Sequence, residues 1–186
     1  LVKPAQDEEM LLPQLLPAVV VNSEASPLRQ ALLKELDCED VYCEFSPVRE
    51  PAFSIVVKNV GPEDGPLFKE IVDRYMTSFA EEGLDKDLLF GELQSAEFSL
   101  REKGNFATKG IILGLSCLSG WIYDENPIDA LSYREKLESL REGAHGRLFE
   151  DFIQENFIEN AHRVFIVHEP QPGLTVDRDK KVREGL

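Results

Sequence analysis

Basic residues are scarce in this chain. Its 186 residues carry 20 Lys and Arg against 35 Asp and Glu, a formal charge of −15. Contact with nucleic-acid phosphates, or docking on anionic lipid, needs the opposite excess. No nucleic acid and no membrane are therefore expected among its partners. The acidity reads as a well-solvated surface, or more sharply as a wall that attracts basic peptides. Cysteine is nearly absent too. Cys38, Cys43 and Cys117 make an odd count without a disulfide scaffold, which points to reduced thiols in the cytoplasm or, in a eukaryote, an organelle matrix. No stretch has the ~20 apolar residues of a membrane span. The first residues do not read as a signal peptide, and a chain that starts at Leu1 reads as a piece of something longer.

The usual catalytic signatures are missing as well. His145, His162 and His168 show neither HExxH nor its inverse HxxEH, the spacings that set two imidazoles one helical turn apart beside a carboxylate. His162 and His168 are six residues apart around a predicted strand, so both would share one face; strand-end histidines describe them better than a shared metal. Cys38 and Cys43 lack CxxC spacing and read as core or half-buried thiols. No GxSxG elbow supports a Ser–His–Asp hydrolase, and no glycine-rich phosphate loop is present. Glu81 with Glu82, and Asp85 with Asp87, sit at polar helix ends where a solvated face is the default. Neither a catalytic residue nor a metal ligand is assigned.

What is present is organisation. With 42% hydrophobic and 30% charged residues the chain can bury a real core. Its centre of gravity is the stretch from Phe53 to Lys103. FSIVVKNV, Phe53 to Val60, is rich in β-branched residues and too short for an average helix, so it predicts a strand. GPEDGP turns the chain, with Asp64 as an N-cap. Leu67, Phe68, Ile71, Val72, Tyr75, Met76 and Phe79 then recur at helical spacing until Gly83 releases the helix. Asp85 caps a second helix, bearing Leu88, Leu89, Leu93, Ala96, Phe98 and Leu100.

Upstream, Asp7 to Asn22 predicts a helix kinked by Pro13 and Pro17. Ser26 and Pro27 open another as N-cap and N1. Val41 to Phe45 predicts a strand that pairs with the next as an antiparallel hairpin. Downstream, Gly104 and Asn105 break the helix. Phe106 to Tyr123 is apolar on most sides and predicts a buried helix; Gly110 to Ile122 is expected at the centre of the core, with Leu115 buried and Trp121 near its end. Asn126 and Pro127 predict the start of a helix running to about Glu142, another follows from Leu148 to Phe157, and Arg163 to His168 predicts the last strand. Three strands among six or seven helices, not interleaved with them, make the class α+β, an antiparallel sheet packed by helices on one side. The hairpin from Cys43 to Val60 has an edge that an extended peptide could join through free N–H and C=O groups. Pro47 and Pro51 suit the opposite purpose, protecting that edge.

SPLRQALLKEL, REPAFSIVVKNVGPED, AEEGLDKDLLFGELQSAEFSLREK, GWIYDENPIDAL and ENAHRVFIVHEPQPGL, in that order, resemble the presequence protease and falcilysin branch of the insulinase-like zinc metallopeptidases. The likeness runs from about Asp7 to Leu174. It implies an insulinase/LuxS-like metallohydrolase domain, the second of the peptidase's N-terminal half, truncated at its first strand. Residues 1–174 would form that single domain, and 175–186 the start of an interdomain hinge. Zinc would belong to the catalytic domain of the parent enzyme, with no cofactor in this chain and no peptidase activity of its own. Its partners would be that catalytic domain, the C-terminal half of the same polypeptide, and unfolded peptide substrate. The resemblance also implies an exosite, where a substrate's end pairs with a sheet edge inside a chamber, and maps it to Cys43, Phe45, Phe53, Ile55 and Val57. The alternative is a stand-alone peptide-binding or scaffold module of the same fold.

Overall fold

The computed structural model of the protein describes residues 11–48, 50–102, 109–124 and 126–184. Leu1 to Gln6, and the helix break expected at Gly104 and Asn105, lie outside the described residues. Helix α1, Leu11–Pro17, passes into a π-helical turn over Ala18–Asn22. Pro17 has no N–H to continue the α ladder, which accounts for a change of pitch at that point. Helix α2 spans Pro27–Glu35 and starts as its sequence dictates, with Ser26 Oγ accepting from Arg29 N–H at 3.3 Å and Pro27 at N1. Strands β1, Asp40–Ser46, and β2, Ala52–Lys58, pair antiparallel with Cys43 opposite Ile55 and Phe45 opposite Phe53.

Helix α3, Gly65–Glu82, ends at Gly83, whose φ of 99° suits a residue without Cβ. Asp64 does not cap it. Its carboxylate instead accepts from Gly61 N–H at 2.9 Å, closing a 3-10 turn over Pro62–Asp64. Helix α4, Lys86–Glu102, does have its expected cap: Asp85 Oδ1 accepts from the N–H groups of Asp87 and Leu88 at 2.9 and 3.1 Å. Helix α5 spans Lys109–Trp121, α6 Tyr133–His145, α7 Leu148–Ile153 and α8 Leu174–Glu184. The helix expected to start at Asn126 and Pro127 begins later. Asn126 turns the chain by accepting from Ile128 N–H, a 3-10 turn covers Asp129–Leu131, and α6 follows.

One core holds α1 to α4, α6, α7 and the hairpin together. Leu16, Val20, Leu28, Leu32, Ile71, Leu89, Leu93, Phe149 and Ile153 are buried in it, and Val41 and Cys43 face it from the sheet. Glu44 and Lys58 are exposed on the other side, so the helices pack against one face of the hairpin. The class is α+β.

Two further expectations fail. Arg163 to His168 is extended but is not a strand: it has no ladder partner among the described residues, and Val164 to Val167 are exposed. It is held instead by side chains, Arg163 on Asp73 at 2.8 Å and Phe165 against Phe68. A strand's composition does not make a strand without a second one to bond. Helix α5 is not the centre of the core either. Leu115 is 60% exposed, Ile111 65% and Trp121 63%, and the helix packs on the 3-10 turn that follows it. A stretch apolar on most sides predicted a buried helix, but α1 to α4, α6 and α7 fill the interior.

Candidate functional site

The hairpin's two outer edges differ, and their difference follows from hydrogen bonds. In an antiparallel ladder, alternate residues turn both main-chain groups toward the partner strand or away from it. Asn22, at the end of the π turn, spans the main chain of Cys43: its Nδ2 donates to Cys43 C=O at 2.8 Å and its Oδ1 accepts from Cys43 N–H at 2.7 Å. Cys43 therefore faces away from β2. By register, so do Val41 and Phe45, and across the hairpin Phe53, Ile55 and Val57 face away from β1. The guanidinium of Arg29 donates to Val41 C=O. Through Val41 and Cys43, then, the β1 edge is closed by two side chains; Phe45 lies on the same edge beyond them.

The β2 edge has no such cover. The N–H and C=O groups of Phe53, Ile55 and Val57 have no hydrogen-bond partner among the described residues. Their side chains are half-buried and pack on the core, and Phe53 meets the edge of the Phe157 ring at 4.7 Å. The strand is thereby pinned by one face while its outward main-chain groups stay unpaired. Such a strand can accept an extended segment without moving.

The thiols take no part in this. Burial pushes the Cys43 thiol well above its ordinary range, with Glu44 adding to the shift. Burial also raises Cys38, whose Sγ donates to Leu32 C=O at 3.5 Å. Among the described residues no three His, Cys, Asp or Glu side chains come together as metal ligands, so nothing described fits a zinc ion. His162 and His168 are exposed on the extended segment.

A buried carboxylate is the other polar feature of the interior. Glu150, on α7, is 2% exposed and reaches the turn between α3 and α4. Its Oε1 accepts from Lys86 Nζ at 2.9 Å and from Leu84 N–H at 3.3 Å; Oε2 has no partner among the described residues. Burial works to raise its pKa, but the bonds from Lys86, its own N–H and Leu84 outweigh that, and the carboxyl is held below its ordinary value. A cleft of about 240 Å³ between α4 and α6 is lined by Arg101 and Arg141, both paired to Glu97. It is remote in sequence from the sheet edge.

Sequence reasoning found the hairpin but not which edge is open. Asn22 and Arg29 close the β1 edge from outside the strand. Their targets lie 21 and 12 residues away, beyond any local spacing signal.

No family model matches the chain. Several known proteins are similar to nearly all of it, three of them as follows. Presequence protease 1, chloroplastic/mitochondrial, of Arabidopsis thaliana is 32% identical over 178 residues, 91% of this chain. Protein HypA of Clostridium perfringens is 28% identical over 182 residues, 96% of the chain. The mitochondrial presequence protease of Xenopus laevis is 24% identical over 179 residues, 91% of the chain. The chain spans only 16%, 19% and 17% of the respective lengths of these relatives. Over about nine tenths of its length the chain is presequence-protease-like, matching one part of a longer protein.

Proposed function

We propose that this chain is a non-catalytic domain of an insulinase-family zinc metalloendopeptidase, forming part of a chamber wall and holding unfolded peptide along the outer edge of β2. The observation that carries the reading is the unpaired main chain of Phe53, Ile55 and Val57 on a strand anchored through its side chains. Added there, a peptide strand gains main-chain hydrogen bonds that do not depend on its sequence, as an enzyme clearing diverse unfolded peptides requires. The net charge of −15 then favours basic peptides and makes the attraction salt-sensitive. Zinc and the catalytic base would come from outside this chain, since no described donor set fits the ion. The resemblance to presequence proteases supports the parent activity, and a reducing organelle matrix or the cytoplasm suits the free thiols.

The test is peptide binding to the wild-type chain and to Ile55→Pro and Val57→Pro, with circular dichroism to confirm folding. Each proline removes an outward N–H. A basic peptide is expected to bind more tightly than an acidic one of equal length, more weakly as salt rises, and more weakly to both variants. Equal binding of the two peptides would eliminate the electrostatic part; undiminished binding to folded variants would eliminate the edge.

A further inference from the structure

Helix α5 is amphipathic the wrong way round. Ile111, Leu115 and Leu118, followed by Ile122 just past its end, are exposed to solvent, while Ile112, Leu113, Ser116 and Cys117 are half-buried. The helical turn carries on to Ile122, whose N–H reaches Leu118 C=O at 3.1 Å. Spacings of four, three and four residues place these side chains on one narrow stripe, the period of a seam between two packed helices. Trp121 flanks the stripe, 63% exposed, and a Cβ built on Gly110 or Gly114 meets nothing within 4 Å. After Lys109 the helix carries no charge at all. An apolar stripe of this size on a free surface is costly.

We infer that this stripe is the docking face for an apolar helix belonging to the longer polypeptide of which the chain is one domain. The inference rests on the multidomain reading above. Three observations select the occupant. The narrow 3-4 stripe is the ridge pattern that interdigitates with a second helix. The relatives are more than five times as long as the chain, so most of such a polypeptide lies outside these residues. A second copy would bring another charge of −15 against the first, a repulsion that a covalently attached helix need not meet. A membrane is the wrong host, because 13 residues of helix span about 20 Å, short of the ~30 Å hydrocarbon layer, and a charge of −15 opposes lying on an anionic lipid surface.

The test uses cysteine accessibility. Leu115→Cys is introduced in the 186-residue chain and in the full polypeptide, and native maleimide labelling of that site is quantified by peptide mass spectrometry. Labelling is expected to be at least about tenfold slower in the full polypeptide, with the short chain monomeric by sedimentation. Equal labelling in the two overturns the inference. So does protection already present in the short chain because it dimerises. Peptide cleavage by the full polypeptide, assayed with and without a zinc chelator, is independent of this outcome. Cleavage with an open Leu115→Cys site would sink the docking face and leave the proposed function; a protected site without cleavage would do the reverse.

Discussion

Asn22 does at Cys43 what a neighbouring strand would do. One amide side chain satisfies both main-chain groups of Cys43, which would otherwise be exposed at a sheet edge or need another chain to bond. Asn22→Ala removes two hydrogen bonds at once and is expected to cost about 1–3 kcal/mol, read from urea midpoints. A midpoint unchanged within error would show the β1 edge is not held by Asn22. Glu150 sets a second test at the same scale. Its pKa is lowered on folding, so it stabilises the native state at pH values above the ordinary carboxylate range. That contribution is lost as pH falls through the lowered folded value. Lys86→Met leaves the carboxylate buried with its cation gone and is expected to cost about 3 kcal/mol near pH 7. The penalty should shrink toward acid, where Glu150 protonates in the variant first. A loss independent of pH would mean Lys86 acts through packing alone.

At the scale of elements, the hairpin and α5 make opposite predictions from the same kind of sequence. Val56 pairs with Tyr42 and by register turns its N–H toward β1, whereas Ile55 turns outward. Val56→Pro should therefore break the ladder and lower stability, while Ile55→Pro should leave a folded protein with a damaged edge. If both unfold the protein equally, the assignment of the open edge is wrong. For α5, Leu115→Ala in the isolated chain should cost no more than about 0.5 kcal/mol, the range of exposed sites. Phe149→Ala, in the core, should cost about 3–5 kcal/mol. A stretch apolar on most sides made α5 legible as a helix and made it look like a buried one. Neither says which element reaches the interior first, and Phe149 and Ile153 of the short α7 took a place that the longer, more apolar α5 did not.

For the molecule as a whole, an acidic exterior coexists with two exposed apolar stretches, α5 and the run from Val164 to Val167. The folded chain should therefore bind a hydrophobic dye near pH 7, and Leu115→Asp combined with Ile166→Asp should lower the dye signal while leaving the urea midpoint nearly unchanged. Its net charge of −15 opposes self-association through those stretches. Light scattering is expected to rise as pH approaches the sequence pI of about 4.6, where that repulsion vanishes. Scattering flat through that range would show that charge is not what keeps the molecules apart.

Local chemistry was enough for much of this protein. Ser26 with Pro27, Asp85 and Gly83 mark helix ends through bonds and dihedral angles that involve near neighbours, and β-branched and aromatic residues mark both strands of the hairpin. The presequence-protease likeness was legible for the same reason, as ordered stretches of residues. What only the tertiary structure decided was who covers whom. RVFIVH has the composition of a strand, but strand formation needs a partner's N–H and C=O, and none meets it among the described residues. The closing of the β1 edge by Asn22 and Arg29, and with it the choice of Phe53, Ile55 and Val57 as the open edge, depends on side chains brought together from distant positions. Such contacts leave no period in a sequence, because chain separation has no fixed relation to distance once the chain has folded.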